Sequence, residues 1–93
     1  MRVCFDFYIA DGSGRRFRKI FHLPLLPVEG TRISLFVNKA YRRFSVYQTE
    51  ICELPGTDNW QYIVYLEALR TKHGSEVQDP PPDFDADPTW STI

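Results

Sequence analysis

Between residues 2 and 10, Val3, Phe5, Phe7 and Ile9 alternate with Arg2, Cys4, Asp6 and Tyr8. That two-residue period marks a strand with one face buried, and it limits the fold more than any other feature of the chain. Such a strand needs pairing along its edges, so the chain is directed toward a sheet. Asp11-Gly12-Ser13-Gly14 follows, supplying residues that tolerate positive φ in a tight connection, and Phe17 to Leu23 reads as a second strand returning antiparallel. Pro24 and Pro27 remove two backbone donors and Glu29-Gly30 adds a turn, which makes residues 24–30 an extended connector.

Two patterns compete in residues 31–44. Ile33, Phe36, Val37, Ala40, Tyr41 and Phe44 have helical spacing, with Thr31 placed as an N-cap. Ile33, Leu35 and Val37 also alternate up to Asn38-Lys39, which would turn a strand into another running from Tyr41 to Glu53, with Phe44, Val46 and Tyr47 packing. The β-branched and aromatic content of the window favours the two strands. Pro55-Gly56-Thr57-Asp58-Asn59 is a turn, and Trp60 to Leu69 is a strand apolar on both faces, hence central or wrapped. The expected fold is all-β, a five-stranded, mainly antiparallel small barrel or roll of SH3-like or OB-like size. An α+β fold with one helix in residues 31–44 is the alternative. The aromatic content of 15% suits a sheet, and 93 residues enclose only one small core, which excludes an enzyme with separate cofactor and substrate domains.

The formal charge of −1 conceals two opposed parts. All 11 Lys and Arg stand in residues 1–72 beside 7 of the 12 acids, a net of +4, while residues 73–93 hold the other 5 acids and no cation, a net of −5. Gly74, Ser75, Pro80-Pro81-Pro82 and Pro88 join those acids, so the expectation is a single β domain over 1–72 followed by an acidic, Pro-rich, flexible tail over 73–93. Phe84, Trp90 and Ile93 interrupt the tail as large apolar residues that would dock on the body or engage another molecule. No apolar run is long enough to cross a membrane and no leader pattern is present, so the expected setting is the cytoplasm, with no membrane partner. Cys4 and Cys52, far apart and outside any Cys-x-x-Cys pair, read as reduced sheet residues.

Chemistry-bearing patterns are sparse. His22 and His73 have no Cys, Asp or Glu at metal or triad spacing. Asp79, Asp83, Asp85 and Asp87 lack the order of a calcium loop, and Cys4 as a nucleophile would need a base supplied by the fold. The chain is therefore expected to be no enzyme and to hold no metal or cofactor. Gly12-x-Gly14 before Arg15-Arg16 serves either as a plain hairpin turn or as an anion nest. Pro24-Leu25-Leu26-Pro27 has polyproline-ligand spacing, yet reads as structural connector.

Cations interleaved with rings are the most informative pattern. Arg15, Arg16, Arg18 and Lys19 surround Phe17, and Arg42 and Arg43 stand between Tyr41 and Phe44, with Arg32 and Lys39 nearby. On strands, Arg16 and Arg18 share one face and Arg15 and Lys19 the other. Such residues suit single-stranded nucleic acid, a nucleotide or an acidic protein surface, or they simply protect a solvated edge. Tyr8, Tyr47, Phe84 and Trp90 are candidate anchors for a protein partner. Under the nucleic-acid reading the acidic tail would compete with the ligand for the cations. A free sheet edge leaves a homodimer open.

Phe21-His22-Leu23-Pro24-Leu25-Leu26-Pro27-Val28-Glu29-Gly30-Thr31-Arg32-Ile33, set after a strand and a glycine hairpin and before the Tyr41-to-Val46 strand, resembles short β-rich proteins encoded by bacteriophages and other mobile elements. The resemblance covers residues 1–69. It implies a small cytoplasmic accessory protein, in some cases an inhibitor of host defence that binds a host protein complex, and it assigns no site residues.

Overall fold

The computed structural model describes residues 1–56 and 59–92. Thr57 and Asp58, in the turn expected over Pro55-Gly56-Thr57-Asp58-Asn59, and Ile93, one of the apolar tail residues, lie outside the described residues. The strands are β1 (Arg2–Tyr8), β2 (Arg16–His22), β3 (Arg32–Val37), β4 (Ala40–Glu53), β5 (Trp60–Lys72), β6 (Ser75–Gln78) and β7 (Ser91–Thr92), with a 3-10 turn at Phe84–Ala86. They form one curled sheet in the order β3-β4-β5-β1-β2-β7, with β6 added to β5, and the whole is a half-barrel.

The all-β expectation agrees with this, but the strand count does not. Among the described residues there are seven strands and not five, because two short ones come from the acidic segment, whose Pro and acid content hides them from a reading by composition. The sheet is also mixed: β1 runs parallel to β5, with Val3 opposite Tyr62 and Phe7 opposite Leu66, while the other pairings are antiparallel.

Residues 31–44 form a hairpin, not a helix. Val37 pairs with Ala40 across a two-residue loop in which Asn38 (φ 48°) and Lys39 (φ 65°) both take the left-handed region, as a type I′ connection demands. Asn tolerates that conformation and Lys does so only with strain. A second connection of the same kind, His73 (φ 51°) and Gly74 (φ 78°), joins Lys72 to Ser75 and turns the chain back onto β5. Residues 73–92 therefore differ from the extended, mobile tail expected over 73–93. They fold back on the body, where Phe84 and Trp90 are buried.

The core fills the concave face. Val3, Phe5 and Phe7 of β1 meet Phe17, Val37, Phe44, Val46, Val64 and Leu66, and the folded-back segment covers them. Phe84 lies 5.0 Å from both Phe7 and Phe17, ring centre to ring centre, and 4.8 Å from Trp90. β5 is buried on both faces through Ile63 to Leu66, as its continuous apolar pattern requires of a strand between β4 and β1. The 14-residue β4 and 13-residue β5 account for a longest dimension of 48 Å at about 3.3 Å per residue. Among the described residues, no helix is long and apolar enough to cross a membrane.

Two stability changes follow. Phe84→Ala should lower the unfolding free energy by about 3–5 kcal/mol in urea titration, the usual cost of a core aromatic, and a loss below about 1 kcal/mol would mean that the segment is not docked. Lys39→Gly should raise stability by about 0.5–1 kcal/mol by relieving the left-handed backbone.

Candidate functional site

On the convex face, β1 and β5 carry a second, smaller buried group, Cys4, Ile63 and Tyr65, with Cys52 packed against it. Asp6 lies on the same face, since the register sets it opposite Arg18 on β2 and Tyr65 on β5. Its side chain is fully buried. A buried carboxylate is tolerated only with a partner, and Arg18 provides it: Nε donates to Oδ2 at 2.7 Å. Arg16 Nε stands 3.5 Å from Oδ1, close enough for charge attraction but making no hydrogen bond, so among the described residues both atoms are left without one.

Arg16 is instead positioned by rings. Its guanidinium lies 5.8 Å from the centre of the Tyr8 ring and 5.7 Å from that of Tyr65, within reach of cation–π attraction to both. Tyr47 continues the row, 6.2 Å from Tyr65. It is the extra residue of a β-bulge: Val46 pairs with Leu66 and Gln48 with Tyr65, leaving Tyr47 unopposed. A bulge re-aims a side chain, here onto the convex face. Tyr8 and Tyr47 keep 43% and 45% of their surface exposed, so the row ends in an open ring at each side.

Glu50 closes the network below Tyr65. It accepts the phenol O–H at 2.6 Å and the Cys52 thiol at 3.2 Å. These two bonds hold the Glu50 carboxyl below its ordinary range. Burial first, and then the hydrogen bond to Glu50, push the Tyr65 phenol up to about 12. The Cys4 thiol is raised by burial, and the Cys52 thiol chiefly by its bond to Glu50, so neither is poised as a thiolate. The face joins two guanidinium groups to two carboxylates, which makes it charge-balanced and rich in rings.

The ten residues singled out in the sequence divide sharply. Tyr8, Tyr47, Arg16 and Arg18 come together here. Phe84 and Trp90 are 2% and 5% exposed, which corrects their reading as surface anchors: the concave sheet takes them as core. Arg15, Lys19 and Arg42 lie toward the other face, and each is engaged by the folded-back segment. Arg15 pairs with Asp85 at 3.0 Å, Lys19 donates to Thr89 at 2.9 Å, and Arg42 pairs with Asp79 at 2.8 Å. Arg43 stands 3.9 Å from Glu76, which also binds Arg32 at 2.9 Å. The six cations therefore share no single surface, because the strand alternation that separates Arg15 from Arg16 separates the rest as well. At the glycine turn, Ser13 N–H bonds to Asp11 and Arg15 N–H to Ser13 Oγ, so two of the backbone donors that an anion nest would offer are already used.

Asp6, Glu50 and Tyr65 were not singled out in the sequence. Asp6 is merely a polar member of an alternating strand until the register sets Arg18 and Tyr65 beside it. A charge placed between apolar neighbours in a strand with cations on its hairpin partner was the one available sign.

No protein-family model matches this chain, and neither does any curated protein or solved structure.

The Tyr65 ionisation can be read by absorbance at alkaline pH, as the difference between the chain and its Tyr65→Phe variant. The phenol should ionise near pH 12, and Glu50→Gln should bring it down while burial keeps it above the ordinary 10.0. Because the folded state holds this proton more tightly than the unfolded chain, its contribution is complete below pH 10.0 and is lost as pH climbs toward 12. An unshifted titration near pH 10 would contradict the Tyr65–Glu50 bond.

Proposed function

We propose that this chain is a non-catalytic protein-binding module, a half-barrel of SH3-like or OB-like size working in the cytoplasm, that docks a partner protein through its convex face. The observation that carries the reading is the row Tyr8, Arg16, Tyr65 and Tyr47, exposed at both ends and anchored below on Asp6 and Glu50. Tyrosine and arginine supply most hot-spot energy in protein interfaces, and rings held in place beforehand lose little entropy on binding. Balanced charge suits a protein surface better than a phosphate backbone, which needs uncompensated cations. The resemblance of residues 1–69 to phage and mobile-element proteins supports a narrower form, an inhibitor that occupies a site on a host protein complex.

A second reading, binding of single-stranded nucleic acid or a nucleotide, draws on the same geometry, since open tyrosines beside a guanidinium also stack bases. Against it stand the acids of residues 73–93, which already pair with Arg15, Arg32, Arg42 and Arg43.

The test is affinity capture from host-cell lysate with and without nuclease, followed by titration of the captured protein. Tyr47→Ala and Arg16→Ala should each weaken binding by about tenfold or more with unchanged circular dichroism, and affinity should fall only modestly between low and moderate salt. Capture abolished by nuclease, or a steep salt dependence, would replace this reading with the nucleic-acid one.

A further inference from the structure

A half-barrel has two free edges that face each other, here the outer edges of β2 and β3. The chain closes one end of that seam itself. β7 pairs with Phe17 and Arg18 of β2, Thr89 takes the Lys19 ammonium, and Asp87 accepts from the backbone N–H of Asn38 in the β3–β4 turn. Beyond that point, among the described residues, no strand pairs with the outer edge of β2 past Arg18 or with the outer edge of β3. The seam opens there into a groove of about 590 Å³. Phe5 forms part of its lining, with Phe21 and Leu23 on the β2 side, Ile33 and Leu35 on the β3 side, and the connector at residues 24–28. Among the described residues no charged one lines it, and Leu25 and Val28 are 76% and 70% exposed.

We propose that this groove binds an extended apolar segment of a partner protein, added as a strand to the free edge of β2 or β3. Three observations define the occupant. The unpaired edges present main-chain donors and acceptors that only an extended backbone can satisfy in register. The uncharged lining favours apolar side chains at alternate positions of that strand. The adjoining stretch of the same seam is already filled in this way by the chain itself, which adds β7 to β2 and sends Trp90 inward. The site is separate from the convex tyrosine face and does not rest on the function proposed for that face.

The test uses the full chain, isotope-labelled, titrated with a synthetic alternating Val/Thr peptide of about nine residues, long enough at ~3.3 Å per residue to span either edge. The expected result is a saturable set of amide shifts at Phe21–Leu23 and Ile33–Leu35. N-methylation of alternate peptide residues should weaken binding by about tenfold or more, and so should Leu25→Asp or Val28→Asp, both at exposed positions outside the core. Any of three results would overturn the proposal: shifts at Tyr8 and Tyr47 instead, equal binding of the N-methylated peptide, or a dimer of this chain that Val28→Asp disperses. The last would mean that a second copy covers the groove.

Discussion

A sheet curled through half a barrel turns an apolar concave face toward empty space, and this molecule depends on the residues that cover it. Phe84 and Trp90 provide that cover, stacking against Phe7, Phe17 and Phe21 from a segment whose composition is otherwise that of a disordered tail. Fully burying one such ring is worth roughly 1.5–3 kcal/mol, a large share of the stability of a domain this small. The Trp90 indole N–H finds no partner among the described residues, which reduces the gain from its burial. The type I′ turn at His73-Gly74 makes the arrangement possible, since it reverses the chain at the end of β5 and delivers the segment to the open seam.

Charge acts together with this packing. Glu76, Asp79 and Asp85 meet arginines of the body, so the opposition of +4 and −5 seen along the chain is largely resolved inside the molecule. Each of these pairs is partly exposed and individually worth little. Their joint effect is to orient the segment and to leave few cations free for an anionic ligand. The same logic operates on the convex face at shorter range, where buried Asp6 holds Arg18 firmly and Arg16 loosely, and the rings of Tyr8 and Tyr65 complete the positioning of Arg16. Arg16 keeps 39% of its side-chain surface exposed and so open to a partner, although its Nε is itself buried.

The fold places its two candidate surfaces on different structural features. The convex row uses the central strands β1 and β5 with β2 and the β4 bulge, the most constrained part of the sheet. The apolar groove lies along strand edges, where backbone groups are available for pairing. Rigid rings suit recognition of a folded surface, whereas free edges suit an extended segment.

Much of the strand layout was legible in the alternation of Val3, Phe5 and Phe7, in the double-faced run from Ile63 to Leu66, and in Asn38-Lys39, because side-chain period and turn chemistry are local properties. The convex site was only half legible: Tyr8, Tyr47, Arg16 and Arg18 stand out in the chain, but Asp6, Glu50 and Tyr65 gain meaning only when β1, β2, β4 and β5 lie side by side. The bulge at Tyr47, the parallel pairing of β1 with β5, the burial of Phe84 and Trp90 and the pairing of Arg15, Arg32, Arg42 and Arg43 with acids of the folded-back segment belong to tertiary structure alone. Each depends on register and curl, which are set by the summed packing of residues far apart in the chain, and no local window of sequence contains that sum.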